Sequence, residues 1–384
     1  MRVLVTFGKH PKTLAVVRSL GKANHEVIVA DEMKRPLASF SKHCRRAHVV
    51  SSPHKSPTSF ISDLQHIARA ESIDLIIPMD DPECDLLSRS GTRSEFSPSI
   101  ALPPEDAYWC ARDKYKTYEL CRDLGIRIPR TEKIQSTESA LRISETLGFP
   151  FIVKPVSSSG SRGFRIIEDV ESVISVGVLM RKHGTLIAQE YIPPGGSIGV
   201  SCLCDHGEMK ACFAHRRIVE FPSSGGPSIV RESFHNRELE LAACSFFESL
   251  RWHGIGMAEF RIDARTGNPY LMEVNPRFWG SLPLAIASGV DFPRLLCQLY
   301  ETGTVPETSS YRDGVRCVNL LPFGLVSGLQ SGNLGNLIRI IASGLYYRCF
   351  DVESLEDFMP TLGALYSMTR LMFDPPTLEM VLRR

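Results

Sequence analysis

The segment Tyr270-Leu-Met-Glu-Val-Asn-Pro-Arg277 sets Glu273, Asn275 and Arg277 at alternate positions. Side chains alternate across a strand, so these three share a face. Met257-Ala-Glu-Phe-Arg-Ile-Asp263 precedes it, and Arg265-Thr266-Gly267 between them suits a three-residue hairpin loop with Gly267 in the left-handed conformation. In that register Glu259 faces Glu273 and Met257 faces Asn275. Two carboxylates and an amide oxygen on one surface suit Mg²⁺, which takes a few carboxylates together with phosphate oxygens. A loop shorter by one residue would shift the register and break the convergence. A solvated hairpin face accounts for Glu259 and Arg261, but not for Asn275-Pro-Arg277 running into Phe278-Trp279-Gly280.

A second group surrounds Lys154, which stands in the apolar run Phe149-Pro-Phe-Ile-Val-Lys-Pro155. The run leads into Ser157, Ser158, Ser159, Gly160, Ser161, Arg162 and Gly163. Small residues let successive backbone N–H groups close on an anion. The loop lies between two strands and lacks the G-x-x-x-x-G-K-[ST] pattern, so it is not a Walker A loop. Composition alone also allows a flexible surface hairpin. A lysine inside a short apolar strand beside such amides points to a phosphate. Leu186 to Ile192, with Gln189, Glu190 and Tyr191, reads either as an edge strand or as one offering backbone groups to an adenine. Arg216 and Arg217, near Gly226 and Ser228, could bind a substrate carboxylate bidentately, with Arg316 a further candidate. A basic strand end followed by a flexible hairpin explains the same residues.

These groups need a scaffold, and the pattern before them supplies one. Over residues 1–100, strand signals at Arg2–Phe7, Glu26–Ala30, Ala47–Val50 and Asp74–Pro78 alternate with helical signals at Pro11–Leu20, closed by Gly21, and Thr58–Ala70. Such alternation implies a Rossmann-like open parallel sheet, with ligands at the carboxyl ends of its strands. Only Gly8 stands where a dinucleotide fingerprint would need three glycines, which argues against NAD. Asp80 and Asp81 end the fourth strand, as a substrate site or simply as an acidic helix start. Helices are expected at Asp113–Leu124, Thr137–Leu147, Val170–His183, about His235 to Leu250, Leu334–Tyr347 and Leu355–Tyr366, with antiparallel strands through 186–280. The expected organisation is an N-terminal domain over 1–100, a second over 101–305 (lid about 130–190, core about 191–305) and a helical extension over 306–384.

The 384 residues carry 44 Lys plus Arg against 43 Asp plus Glu, a net charge of +1. That balance disfavours a polyanion surface, so no nucleic-acid partner is expected. No apolar stretch is long enough to span a membrane, and the first residues lack a signal-peptide core. Eleven scattered cysteines fit a cytoplasmic chain with reduced thiols. Tyr346, Tyr347 and Phe350 are expected to pack on the body rather than meet a membrane. The final helices either dock on the core or serve a homodimer.

Taken in order, Asp113-Lys114, Val153-Lys154-Pro155, Ser157 to Gly163, Gln189 to Ile192, Met257-Ala258-Glu259 and Glu273-Val274-Asn275-Pro276-Arg277 resemble the ATP-grasp superfamily. The flavour is the biotin carboxylase and carbamoyl-phosphate synthetase type of carboxylate–amine ligase, over roughly residues 1 to 300. The resemblance implies an α/β and α+β architecture, in which an ATP-grasp fold follows the Rossmann-like domain. It implies ATP and Mg²⁺ (or Mn²⁺), with Lys114 and Lys154 on the phosphates and the Ser157–Gly163 loop closing over them. Gln189, Glu190, Tyr191 and Ile192 would form the adenine hinge. Glu259, Glu273 and Asn275 would hold metal, and Arg277 would stabilise the transferred phosphoryl group. The implied reaction activates a small-molecule carboxylate as an acyl phosphate and joins it to an amine. A biotin-dependent carboxylase and a non-catalytic ATP-binding regulator are the alternatives.

Overall fold

A computed structural model describes residues 1–157, 163–220, 228–308, 310–325 and 334–372. Its first unit is a five-stranded parallel sheet of β1 (Arg2–Val5), β2 (Glu26–Asp31), β3 (Cys44–Val49), β4 (Leu75–Ile77) and β5 (Ser99–Ile100), in the order β3-β2-β1-β4-β5. Val3, Leu4 and Val5 are all fully buried. A parallel strand covered on both faces reads as a continuous apolar run, as here. The first helix runs through Gly21 to Lys22 instead of stopping at the glycine. A Cβ on Gly21 would lie 2.5 Å from the His43 Cβ, so this glycine permits close packing and is no stop signal.

A four-stranded sheet follows, ordered β6 (Thr131–Ile134), β9 (Leu186–Glu190), β7 (Phe151–Pro155), β8 (Arg165–Ile167). Phe151, Val153, Leu186 and Ala188 turn inward onto the Thr137–Leu147 and Ser175–His183 helices. By alternation Ile152, Lys154, Ile187 and Gln189 take the opposite face.

The third sheet is six-stranded and antiparallel, ordered β14 (Pro269–Asn275), β13 (Gly254–Asp263), β10 (Pro194–Asp205), β11 (Glu208–Glu220), β12 (Ser228–Ser233), β15 (Arg316–Val318). One face packs on the Arg237–Ser249 helix through Val200, Cys202, Ala214, Ala258, Phe246 and Phe247. The other joins a core that it shares with the parallel sheet: Phe213, Met257, Phe278 and Trp279 pack in one cluster with Val3, Val5, Leu14 and Leu20.

The region after 306 is not purely helical, because β15 extends the third sheet. Cys317 on this strand is disulfide-bonded to Cys349, with Cα atoms 4.7 Å apart, which departs from the expectation of reduced thiols throughout. The two lie 32 residues apart, and pairing of Val318 with Phe350 brings them together. Buried Asp351 accepts from Arg231 of β12 at 2.9 Å. Tyr347 and Phe350 pack on the body, whereas Tyr346 is 81% exposed, contrary to expectation. Among the described residues no helix is long and apolar enough to cross a membrane.

Candidate active site

The hairpin brings Glu259 opposite Glu273 and Met257 opposite Asn275, by a different route from the expected three-residue loop. Gly267, at φ +73°, donates its N–H to Asp263 O at 2.8 Å, and Asp263 pairs with Asn268. Four residues therefore turn the chain, and Phe260 faces Leu271. Uncorrected, that register would put Glu273 on the wrong face. A bulge at Met272, between the Glu259–Glu273 and Phe260–Leu271 pairs, restores it. The bulged carbonyl accepts from the Tyr118 hydroxyl at 2.5 Å.

Tyr118 shares a helix, Lys114–Asp123, with Lys114. Asp113 caps that helix, accepting from Tyr115 N–H at 2.9 Å and Lys116 N–H at 3.2 Å. Residues four apart face the same way, so Lys114 and Tyr118 point together at β14. Lys114 Nζ lies 3.6 Å from Glu273 Oε2. Lys154 Nζ, from the four-stranded sheet, donates to the Tyr118 hydroxyl at 3.0 Å. Burial lowers the Lys154 ammonium to about 8, with Glu273 pulling it upward. Burial pushes the Glu273 carboxyl up, but Lys114 and Lys154 outweigh it and hold Glu273 below its ordinary value. Glu259 is raised by its burial, although Arg217 Nη2 donates to its Oε1 at 2.6 Å. One carboxylate held ionised beside another with raised affinity for a proton is a pair that a divalent cation would neutralise. The donor set of Glu259, Glu273 and Asn275 oxygens fits Mg²⁺.

Arg277 follows the hairpin and turns to the parallel sheet. Its Nε and Nη2 both donate to the Asp81 carboxylate, Nη2 at 3.2 Å, and Nη1 donates to Phe278 O at 3.1 Å. Burial raises the Asp81 carboxyl, but the Arg277 guanidinium dominates and holds it well below the usual carboxylate range. Asp81, Arg112, Lys114, Glu273 and Asn275 line one small cleft. Arg112 is itself fixed by Asp85, with Nε to Oδ1 at 2.9 Å.

Gln189 lies on the same side of the four-stranded sheet as Lys154. It is fully buried, its Nε2 donates to Thr131 Oγ1 at 2.9 Å, and its Oε1 has no hydrogen-bond partner. An orphaned buried acceptor on the Lys154 face suits a ligand carrying an N–H group, as an adenine does. The Glu190 side chain turns the other way, to Arg130 Nε at 3.2 Å. Tyr191 is half-buried and Ile192 buried. Ser157 is exposed at the mouth of the loop, Gly163 closes it, and Ser158, Ser159, Gly160 and Ser161 lie outside the described residues.

The arginines expected to act as a pair are separated. Neighbours on a strand face opposite ways, and Arg217 reaches Glu259 while Arg216 Nε donates to Glu232 Oε1 at 2.9 Å. Arg316 holds the other Glu232 oxygen at 2.6 Å, so Arg216 and Arg316 stand across the sheet from the acidic pair. Ser228 opens β12 with its Oγ donating to Val230 O at 3.2 Å, and Gly226 lies outside the described residues. The sequence reading overlooked Tyr118, for which the four-residue spacing from Lys114 was the available signal. It left Asp81 undecided between ligand and helix start. The residue opens the Asp81–Leu87 helix and also holds Arg277.

With this geometry in place, residues 111–281 match the family model of the ATP-grasp domain. Among curated relatives, the carbamoyl phosphate synthase large chain of Campylobacter jejuni is 20% identical over 224 residues, 54% of this chain and 20% of that protein. Pyruvate carboxylase of Aspergillus terreus is 27% identical over 179 residues, 41% of this chain and 14% of that one. The chain thus spans a fifth or less of the length of these two relatives. Among solved structures, a biotin carboxylase β,γ-ATP complex from Campylobacter jejuni superposes with a TM-score of 0.67 at 17% identity, over 82% of this chain and 74% of that one. N5-carboxyaminoimidazole synthetase from Staphylococcus aureus gives 0.67 at 15% identity, over 87% and 86%. The architecture is an ATP-grasp fold.

Proposed function

We propose that the chain is an ATP-dependent carboxylate–amine ligase. The observation that carries this reading is that Lys114, Glu273 and Asn275 line one cleft, with Glu259 paired opposite Glu273, Lys154 reaching Tyr118 of the Lys114 helix and Arg277 bound to Asp81 of the same cleft. Phosphoryl transfer needs positioning and charge neutralisation more than covalent help from the protein. Lys114 and Lys154 bind phosphate oxygens, Gln189 to Ile192 take the base, and Ser157 to Gly163 adjoin the phosphates. Glu259, Glu273 and Asn275 would hold Mg²⁺, which would supply further neutralisation of phosphate charge. Arg277, held in place by Asp81, aims its remaining N–H groups at the transferred phosphoryl group. A small carboxylate takes the γ-phosphoryl group to give an acyl phosphate and ADP. An amine then displaces phosphate and forms the amide. Both substrates are small molecules, the setting is the ATP-rich cytoplasm, and the units are 1–100, 101–305 and 306–384.

The test is ADP release from Mg-ATP across pooled carboxylates, amino acids and amines, with mass spectrometry of the products. The expected result is ADP only when an acid and an amine are both present, a product lighter than their sum by one water, and no ADP from Glu273→Ala. ATP binding without ADP formation from any pool would favour a regulator and overturn the ligase reading.

A further inference from the structure

A second polar cluster lies away from this cleft, six positions before Glu259 and so roughly 20 Å back along β13 at ~3.3 Å per residue. There β10 turns into β11 through a two-residue loop, His206-Gly207, both with positive φ (49° and 100°). A loop of that kind favours Asn-Gly or Asp-Gly. Here a histidine takes the first place and stands over His253, the residue before β13. Asp205 Oδ1 lies 3.2 Å from His253 Nδ1 and 3.8 Å from His206 Nδ1. The two rings are tilted by 48° with centroids 4.5 Å apart. One ligand atom from each residue falls within 4.8 Å of both others.

From this convergence we propose that Asp205, His206 and His253 form a binding site for a divalent first-row transition cation, with zinc the natural occupant. Ligand bonds of about 2.0–2.1 Å to imidazole nitrogen and carboxylate oxygen put tetrahedral ligands roughly 3.4 Å apart. The two measured separations bracket that value. Two imidazoles with one carboxylate suit zinc and its neighbours, and do not suit Mg²⁺ or Ca²⁺, which take oxygen ligands. The frame is built before any ion arrives. Gly207 N–H donates to Trp252 O at 2.7 Å, which ties the turn to the segment carrying His253, and the Tyr300 ring packs edge-on to His253 with centroids 5.5 Å apart. The remaining coordination position opens on a cavity of about 330 Å³ lined by Arg93, Ser99, His206, His253 and Tyr300. The ion would pin the β10–β11 turn at the seam between the six-stranded sheet and β5 of the parallel sheet.

The test uses the full chain, stripped with a chelator and held in millimolar Mg²⁺ so that the acidic cleft is not read as the new site. Zn²⁺ is titrated calorimetrically, and Co²⁺ is followed by its visible absorption. The wild type should bind one equivalent of each. His206→Ala, whose ring is exposed, should lose affinity on the order of 100-fold or more, since even outer-shell partners of a metal ligand are worth ~10–100-fold. Asp205→Asn is the second variant, checked by circular dichroism, and it should lose the Co²⁺ band while keeping the fold. Equal titrations of wild type and His206→Ala, or no binding tighter than micromolar in the wild type, would overturn the site. Neither readout depends on nucleotide or turnover, so the result stands apart from the ligase reading.

Discussion

Burial lowers the Lys154 ammonium to about 8, with Glu273 opposing it, so its charge is lost near the upper edge of physiological pH. ATP binding requires the charged form. Above about 8 each binding event must take up a proton, and Mg-ATP affinity should fall by about tenfold per pH unit. Titrations between about pH 7 and about 9 check this against Lys154→Arg, whose charge persists and whose profile should stay flat. Glu83 behaves oppositely. Burial raises its carboxyl to about 8 despite hydrogen bonds from Thr6 Oγ1 and from Met79 N–H. Between its ordinary 4.5 and 8 the folded chain keeps a proton that the unfolded chain releases, so stability falls as pH rises through that window. Glu83→Gln should remove this fall, a difference on the order of a few kcal/mol between the two ends of the window, read by urea unfolding. A parallel fall in wild type and variant would show that Glu83 titrates normally.

Among the elements, the β13–β14 hairpin depends on its bulge. Four residues turn the chain, one more than the convergent register takes, and Met272 absorbs the difference. Deleting Met272 joins Leu271 directly to Glu273 and keeps Glu273 opposite Glu259, so Mg²⁺-dependent ADP formation should persist while stability falls by about 1 kcal/mol with the loss of the carbonyl that Tyr118 holds. The Tyr118 hydroxyl holds both the bulge carbonyl and Lys154. Tyr118→Phe should therefore cost about 1 kcal/mol of stability, the usual worth of a lost hydrogen bond, and also weaken ATP binding. A variant that loses stability alone would reduce Tyr118 to a packing residue. The turn glycine and the alternation of Glu273, Asn275 and Arg277 were legible in the sequence, because both follow from local backbone preference. The bulge was not, since an extra residue in one strand carries no side-chain signature.

For the molecule as a whole, Asp81 and Arg277 couple the parallel sheet to the hairpin across 196 residues of chain. Their partners are buried, and removing one leaves the other charge desolvated. Asp81→Ala should cost ~3–5 kcal/mol, and Asp81→Ala with Arg277→Ala should cost less than the two single changes added together. Additive losses in urea unfolding would show that the pair does not couple the sheets. The shared core of Val3, Leu14, Met257 and Trp279 acts in the same direction, joining the parallel sheet to the six-stranded one.

Local sequence pattern sets the alternation of β1 to β4 with helices, the capped helix at Asp113, the lysine strand at Lys154 and the shared face of Glu273, Asn275 and Arg277. Each is set by residues near one another in the chain, through periodicity, capping or turn chemistry. Long-range packing alone brings Asp81 to Arg277, Cys317 to Cys349, the Met272 bulge to Tyr118 and β15 to the edge of the third sheet. Those outcomes depend on pairing between distant segments, where the gain comes from burial and charge neutralisation that no local pattern encodes.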